Sequence, residues 1–311
     1  MMENQTISFY FNLTMFMKIG HYRYLAFVFC LLIYSFIVFA NGVLIVVIAR
    51  ESALHQPMYI FIAFLSFNAL YGSTAFFPRF LMDLLSDTHL ISRLACFTQI
   101  YVIYTYGLYE LTILCVMAYD RFVAVCHPLH YSRKMNYKVV CILGCTAWVF
   151  PACSLCLNLL TIVRLQLCGN KIYKIYCASW NVVLLACDPR SVNSIASTVA
   201  TIILTFLPFS FILYTYLRIV LACWKQTSEV RRKLLQSCLP HVVSFAVYSL
   251  TLFTDTALSR QNRKGVNPFV AVVLAMEFII IPPVTNPLVY GLKLPEIRRK
   301  IFKTLKSPKF T

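Results

Sequence analysis

The stretch Met117-Ala118-Tyr119-Asp120-Arg121-Phe122-Val123-Ala124-Val125-Cys126-His127-Pro128-Leu129-His130-Tyr131 determines how the rest of the chain is interpreted. An apolar run from about Cys96 precedes it, so the stretch is predicted to be the end of a membrane-spanning helix that opens into a loop. An acid beside an arginine is costly in hydrocarbon and tolerable at its boundary. Taken alone, Asp120-Arg121 could still be a snorkelling charge pair that marks where the helix meets water.

The composition indicates a membrane protein. Sixty per cent of the 311 residues are hydrophobic, 13% are charged, and the mean hydropathy is +0.73, whereas a soluble domain carries roughly 25% charged residues. The net charge of +17 does not indicate a nucleic-acid partner, because the basic residues lie in short clusters between apolar runs rather than on one face. The expected partner is therefore a lipid membrane.

Seven apolar segments are each near or above the ~20 residues needed to cross hydrocarbon. They cover residues 24–49, 57–84, 94–126, 138–160, 193–224, 233–256 and 267–291. We therefore predict an all-α membrane protein: a tail over 1–23, a seven-transmembrane helix bundle over 24–291, and a C-terminal segment over 292–311. In that last segment apolar residues recur every four positions among basic ones, which predicts a short amphipathic eighth helix on the anionic inner leaflet.

Lysine and arginine are unevenly distributed between the two sides of the predicted bundle. Seventeen lie on the side that carries Arg121 and ten on the other. Since basic loops stay in the cytoplasm, the Arg121 end and the C-terminus are predicted to be cytoplasmic and the N-terminus extracellular. Glycosylation sequons at Asn4 and Asn12 fit an extracellular tail, although such tripeptides also arise by chance.

Two polar residues inside the predicted spans need partners. Asn41 lies among Val and Ile, and its amide favours hydrogen bonding between helices. Glu110 lies about three turns above Arg121 and so near mid-membrane. A carboxyl at that depth should be protonated, paired or facing a polar interior. Both residues are therefore predicted to belong to an interior polar network.

The cysteines divide into two groups. Cys141-x-x-x-Cys145 and Cys153-x-x-Cys156 lie on one helix without an accompanying His or acid, so we expect no metal site. The four cysteines on the predicted outer side favour two disulfides, and their sequence leaves three pairings open: Cys96, Cys168, Cys177 and Cys187.

The run 117–131 as a whole resembles the Met-Ala-Tyr-Asp-Arg-Tyr-x-Ala-x-Cys-x-Pro-Leu-x-Tyr signature of odorant receptors, a branch of the rhodopsin-like G-protein-coupled receptors. Phe122 replaces the usual Tyr. Leu-His-Gln-Pro-Met-Tyr at 54–59 and Asn-Pro-Leu-Val-Tyr at 286–290 resemble two further elements of this family. The resemblance extends from residue 41 to residue 300, and details such as Leu-Tyr-Gly at 70–72 are more similar to fish members than to mammalian ones. It implies the disulfides Cys96–Cys177 and Cys168–Cys187.

This resemblance implies an odorant-binding receptor in the plasma membrane of sensory neurons, with no cofactor and no enzymatic activity. A small odorant would bind in the outer half of the bundle, the sixth helix would swing out, and a cytoplasmic cleft would open for a heterotrimeric G protein of the stimulatory olfactory type. The residues implied in this switch are Asp120, Arg121, Pro240, His241, Asn286, Pro287 and Tyr290. For His241, a satisfied interior histidine is the alternative.

Two departures from the family pattern bear on this switch. Pro240 stands where the family usually has Ser, and it should kink the sixth helix by removing a backbone hydrogen bond. Ala69 stands where most relatives have Asp, which weakens the case for the sodium site that many such receptors build there.

Counting up the third helix from Arg121 gives five candidate odorant contacts, and five more are expected on the sixth and seventh helices. Ordinary helix packing is the alternative for each of them. The candidates are Ile100, Ile103, Tyr104, Gly107, Leu108, Tyr248, Ser249, Leu252, Met276 and Ile279. Ile103 stands where aminergic receptors have Asp, and several basic residues lie in the long outer loop. We therefore expect a neutral or anionic odorant, on the basis of Arg164, Lys171, Lys174 and Arg190.

A membrane transporter or channel for a small solute is the alternative function. It would show internal repeats and several charges at mid-membrane, but the sequence has no internal repeat, and Glu110 and Glu277 are the main acids in the predicted spans. A membrane enzyme would need a nucleophile or metal motif. The sequence contains no His-Glu-x-x-His, Gly-x-Ser-x-Gly or Gly-Lys-Ser/Thr motif.

Overall fold

The computed structural model describes residues 9–16, 22–188, 192–260 and 268–306. Seven long helices run through this part of the chain, and their bounds lie within a few residues of the predicted segments. They are α1 (Arg23–Arg50), α2 (Pro57–Leu85), α3 (Arg93–Cys126), α5 (Tyr137–Val163), α7 (Val192–Trp224), α8 (Ser228–Arg260) and α9 (Pro268–Lys293). The shorter α-helices in the described ranges are α4 (Tyr131–Lys134), α6 (Ser179–Val183) and α10 (Pro295–Lys306), and there are two 3-10 helices, Ser52–Leu54 and Pro128–His130.

The long helices have the length and surface of membrane spans. Six of them are long and apolar enough to cross a membrane, and α9 is a further long helix of 26 residues. Large apolar side chains cover their outward faces: Leu207 and Leu250 are each 69% exposed. Such a surface belongs in contact with lipid. The predicted all-α bundle of a multi-pass membrane protein is therefore confirmed.

Local sequence explains where several helices begin. Pro57 starts α2, where its missing N–H has no cost. Ser92 Oγ accepts a hydrogen bond from the Ala95 N–H (3.3 Å) at the start of α3. The largest difference from the predicted bounds is in α8, the sixth long helix, which begins at Ser228 rather than at residue 233. Its charged first turns are helical although they are not apolar, and a Glu229–Lys233 ion pair (3.0 Å) spans one of them.

Helix α3 lies at the centre of the bundle. It packs against α2, α5, α7 and α8, and Leu111, Leu114 and Ala118 along it are fully buried. Because Arg121 is near one end of α3 and Ile103 is near the other, this helix connects the two ends of the molecule.

The end of the bundle opposite Arg121 is covered by a loop and a small β-sheet, and the sheet was not predicted from the sequence. We call residues 164–188, between α5 and α7, the lid. The lid contributes β3 (Lys171–Ile172) to a three-stranded sheet in the order β2-β1-β3. The central strand β1 (Tyr10–Leu13) belongs to the predicted N-terminal tail and pairs antiparallel with β2 (Leu90–Ser92) and parallel with β3.

No strand was predicted, because each is at most four residues long and its partners are distant in sequence. Two disulfides hold the lid: Cys96–Cys177 joins it to α3, and Cys168–Cys187 closes it on itself. These are the pairs that the family resemblance implies. The Cys177 N–H also donates to Gln99 Oε1 (2.9 Å) on α3.

At the other end, α10 packs against α9 and α1. Its apolar side is buried through Ile297, which is fully covered. Lys300 of α10 forms an ion pair with Glu51, just after α1. The predicted amphipathic helix is therefore present and fixed to the bundle.

Candidate functional site

A cavity of about 430 Å³ lies at the lid end, between α3, α7 and α8 and under the lid. This volume is within the range of small-molecule sites. Six predicted contacts line it: Ile103, Tyr104, Gly107, Leu108, Tyr248 and Leu252. The remaining lining residues were not among the predicted contacts; they are Leu155, Tyr176, Ser179, Trp180, Val183, Thr198, Thr201, Ile202, Leu204, Thr205, Phe206, Phe253, Asp255, Thr256 and Phe278.

Four predicted contacts do not line the cavity. Ile100, Met276 and Ile279 are buried in the packing between helices, and the Ser249 hydroxyl donates to the Phe245 carbonyl on its own helix (2.6 Å). Counting along α3 and α8 gave the correct faces for most positions. It could not give the rotation of α9, where Phe278 lines the cavity instead. Helix α7 and the lid carry no motif that would have marked their lining residues.

Close approach at Gly107 shapes the inner wall of the cavity. A Cβ atom added there would lie 2.7 Å from Cζ of Phe278, so that ring occupies the space next to the glycine. On the other side, the Tyr248 hydroxyl donates to the Gly107 carbonyl (3.0 Å). This hydrogen bond links α8 to α3 beside the cavity.

A buried ion pair joins the lid to α8. Lys174 Nζ lies 2.7 Å from Asp255 Oδ1 and 2.9 Å from the Tyr176 hydroxyl, which itself donates to Asp255 Oδ1 (2.9 Å). The Lys174 side chain is 0% exposed and that of Asp255 is 18% exposed. Sequence reasoning missed this pair because its members are 81 residues apart.

The ion pair changes the basis of the ligand expectation. That expectation was based on four basic residues. Of these, Arg164 and Lys171 are exposed, Lys174 is paired with Asp255, and Arg190 lies outside the described residues. None of the three described ones lines the cavity, whereas Asp255 does. The cavity wall therefore gives no support to an anionic ligand.

The two predicted interior residues, Asn41 and Glu110, are hydrogen-bonded to different partners below the cavity. Glu110 accepts hydrogen bonds from Asn68 Nδ2 (2.9 Å) and Asn286 Nδ2 (2.6 Å). Asn68 Nδ2 also lies 3.0 Å from the Tyr106 carbonyl. Asn41 Nδ2 donates to the Pro283 carbonyl (3.0 Å) and so links α1 to α9. The donation from Asn68, next to Ala69, to Glu110 was not predicted.

At the Arg121 end, Asp120 and Arg121 form an ion pair. Asp120 Oδ2 accepts from Arg121 at 2.5 and 3.0 Å, and Asp120 Oδ1 accepts from the Tyr131 hydroxyl (2.8 Å). The Asp120 side chain is 0% exposed and that of Arg121 is 16% exposed. Burial raises the pKa of Tyr131 above its ordinary value, so this hydroxyl keeps its proton for the hydrogen bond at neutral pH.

His241 connects three helices near Arg121. Its Nδ1 lies 2.7 Å from the Tyr216 hydroxyl on α7, and its Nε2 lies 2.9 Å from the Leu114 carbonyl on α3. It is therefore a satisfied interior histidine by its contacts, which join α8 to α7 and α3. Pro240, beside it, is buried within α8, which continues through it.

The remaining predicted site residues differ in burial, and one of them lies outside the described residues. Pro287 and Tyr290 are buried in α9, and Asn286 belongs to the Glu110 network. Asn12 is half-buried in β1, and Asn4 lies outside the described residues. Within the described ranges, no three His, Cys, Asp or Glu side chains come together as a metal site.

Comparison with known proteins identifies the family. A family model described as olfactory receptor matches residues 29–307. Human olfactory receptor 7C1 is 30% identical over 311 residues, covering 99% of this chain and 96% of the relative. Olfactory receptor-like protein OLF3 of the dog (Canis lupus familiaris) is 32% identical over 275 residues, covering 88% and 86%. These findings give no support to the transporter or channel alternative, and the fish-like subtype stays a prediction.

Among solved structures, squid rhodopsin superposes on this chain with a TM-score of 0.72, covering 91% of this chain and 85% of its own. At 17% identity this match shows the shared fold. The family model, by contrast, covers most of the chain. The protein therefore belongs to the olfactory receptor family: it is an odorant-binding, rhodopsin-like G-protein-coupled receptor rather than an enzyme.

Proposed function

We propose that the cavity is the odorant site and that its ligand moves α8, which opens the Arg121 end to a stimulatory olfactory-type G protein. One observation carries this proposal: α8 is hydrogen-bonded to α3 at two levels. Tyr248 bonds Gly107 beside the cavity (3.0 Å), and His241 bonds Leu114 nearer Arg121 (2.9 Å). The two α8 residues are seven positions apart, or about two turns. A ligand that displaces α8 beside the cavity would therefore also strain the hydrogen bond between His241 and Leu114.

Release of Arg121 is the expected consequence. In the closed arrangement its guanidinium is held by Asp120 and mostly covered. When α8 moves away, Arg121 would face the new cleft, where a G protein could bind. Asn286 and Glu110 link α9 to α3 between the two levels (2.6 Å), so the network should respond to the same movement.

This function requires the lid to be extracellular and the Arg121 end to be cytoplasmic, in the plasma membrane of sensory neurons. The bias of Lys and Arg toward the Arg121 end supports that orientation. So do the two lid disulfides, since such bonds persist in oxidising compartments. The basic face of α10 would then lie on the anionic inner leaflet.

The test is odorant-evoked cyclic AMP in transfected cells, with surface expression measured in parallel. Leu252→Trp should abolish the response, because the larger side chain projects from the wall into the cavity and obstructs the ligand. Leu250→Trp is the matched control: it lies two residues away on α8 and points outward, so it should respond like the wild type. Arg121→Ala should reach the surface and fail to signal. An unchanged response in Leu252→Trp would contradict the proposal.

A further inference from the structure

We propose that the cavity selects ligands that donate a hydrogen bond, namely alcohols and amines, over carboxylates, and that Asp255 determines this selection. The inference rests on the proposed function of the cavity as the odorant site. It depends on which member of the Lys174–Asp255 pair faces the ligand.

The pair presents its negative member to the cavity. Asp255 lines the wall and its side chain is 18% exposed, whereas the Lys174 side chain is 0% exposed and does not line the cavity. Tyr176 lines the wall between them, and Lys174 Nζ lies 4.5 Å from the centre of its ring. A ligand in the cavity therefore meets the carboxylate and the phenol first, and the ammonium lies behind them.

Distance decides which charge the ligand experiences more strongly. Lys174 Nζ lies 2.7 Å from Asp255 Oδ1. A ligand group hydrogen-bonded to the cavity side of the carboxylate would lie ~3 Å from Asp255 and ~5–6 Å from Lys174. Since Coulomb energy varies inversely with distance, the interaction with the carboxylate is roughly twice as strong as that with the ammonium. An N–H or O–H donor is thus attracted overall, and a carboxylate is repelled.

The rest of the wall fits the same ligands. The cavity has aromatic rings from Tyr104, Tyr176 and Trp180, whose faces attract cations and pack against alkyl chains. Threonines of α7, including Thr201 and Thr205, add hydroxyl groups. No Lys or Arg is among the described lining residues, so none of these residues offers a carboxylate ligand a cation at hydrogen-bond distance.

The experiment uses 1-octanol, octylamine and octanoic acid, with shorter and longer homologues, in the cyclic AMP assay. On the wild type, the best alcohol or amine should act at about tenfold lower concentration than the best acid, corresponding to ~1.4 kcal/mol. Lys174→Asp combined with Asp255→Lys keeps the pair and reverses which charge faces the cavity, so acids should become preferred. Lys174→Met combined with Asp255→Leu should reduce the preference to near unity.

Asp87→Asn is the matched control. It removes one acidic charge at the lid end, from a residue that is exposed, pairs with Arg23 and does not line the cavity, so the preference should not change. A wild type that prefers acids, or responds to none of the three classes, would overturn the inference. An unchanged preference in the neutral double variant Lys174→Met/Asp255→Leu would also overturn it. This second variant keeps the test valid if the charge-reversed variant does not reach the cell surface.

The same assay separates this inference from the proposed function. If Leu252→Trp abolishes responses but acids are preferred, the cavity is the odorant site and only the ligand class is wrong. If Leu252→Trp leaves every response intact, the odorant site itself is wrong, and the inference fails with it.

Discussion

Different kinds of link hold the helices together at the two ends of the bundle. At the lid end, Cys96 is bonded to Cys177 and Lys174 to Asp255, and in each case the partners are 81 residues apart. At the Arg121 end, the ion pair joins adjacent residues of one helix, so it restrains a side chain without joining two helices. There α8 is held to α3 by the hydrogen bond of His241 to the Leu114 carbonyl. We therefore expect the lid end to be costly to break and the Arg121 end to open easily.

The largest effect is expected from breaking the buried ion pair on one side only. Lys174→Met leaves the Asp255 carboxylate without its cation, and loss of one partner of a buried pair costs ~3–5 kcal/mol. Thermal unfolding of the purified receptor measures this loss. The double variant Lys174→Met/Asp255→Leu should recover most of the stability, because no buried charge is left over. A single variant as stable as the wild type would show that the lid end does not depend on this pair.

The two disulfides should differ in a predictable way. Replacing both Cys96 and Cys177 with Ser removes a link across 81 residues, whereas replacing Cys168 and Cys187 removes one across 19. Loop entropy makes the first replacement more destabilising by about 1 kcal/mol. Unfolding of the two double variants under identical conditions gives the comparison, and the reverse order would contradict it.

At the Arg121 end, His241→Ala should change signalling more than folding. The variant loses hydrogen bonds to Leu114 and Tyr216, and leaving buried groups unpaired costs ~1–3 kcal/mol. Because these bonds hold the closed arrangement, basal cyclic AMP should rise without odorant. Tyr216→Phe removes only one of the bonds and should give a smaller rise. Basal activity equal to the wild type in both variants would count against the proposed role of this contact.

A smaller rise is expected from Tyr131→Phe. The substitution removes the hydrogen bond to Asp120 Oδ1 (2.8 Å), worth ~0.5–1.5 kcal/mol, and so loosens the group that holds Arg121. Basal cyclic AMP should increase a few-fold at most. Tyr137→Phe is the control, since Tyr137 is 80% exposed in the same region. An equal increase in both variants would show that the effect is not due to Asp120.

The smallest effect concerns the Glu51–Lys300 ion pair, because both groups are partly exposed and screened. The hydrogen bond from Lys300 lowers the pKa of the Glu51 carboxyl. With the folded-state pKa below the unfolded one of about 4.3, the pair stabilises the fold above that pH and is lost as the pH falls through the folded-state value. The melting temperature of Glu51→Gln should therefore lie slightly below that of the wild type at neutral pH and approach it in acid. A difference that grows in acid would contradict this sign.

Sequence reasoning succeeded where the determinants are local. Apolar segments of spanning length gave all seven long helices, and the adjacent Asp120 and Arg121 gave their own pairing. Prediction by helical position placed Gly107, counted from Arg121, and Tyr248 of the sixth helix on the cavity wall. It failed for Met276, because neighbouring helices set the rotation of α9 and no residue on α9 itself encodes it.

The missed features all depend on contacts between distant segments. Strand β1 is ordered by β2 and β3, from segments about 80 and 160 residues further along the chain. Asp255 acquires its role only when the lid brings Lys174 to it. Lys174 by itself indicated a basic vestibule, and the fold places its charge behind a carboxylate instead.

The claim that a ligand at the lid end moves α8 at the Arg121 end can be measured directly. Spin labels carried by unnatural amino acids at Lys138 and Arg232, which are both exposed, would report the distance between α5 and α8. Unnatural amino acids are needed because exposed free cysteines such as Cys141 would also react with thiol labels. An activating alcohol should lengthen this distance in the wild type and leave it unchanged in Leu252→Trp. A cyclic AMP response with no change in the distance would contradict the account.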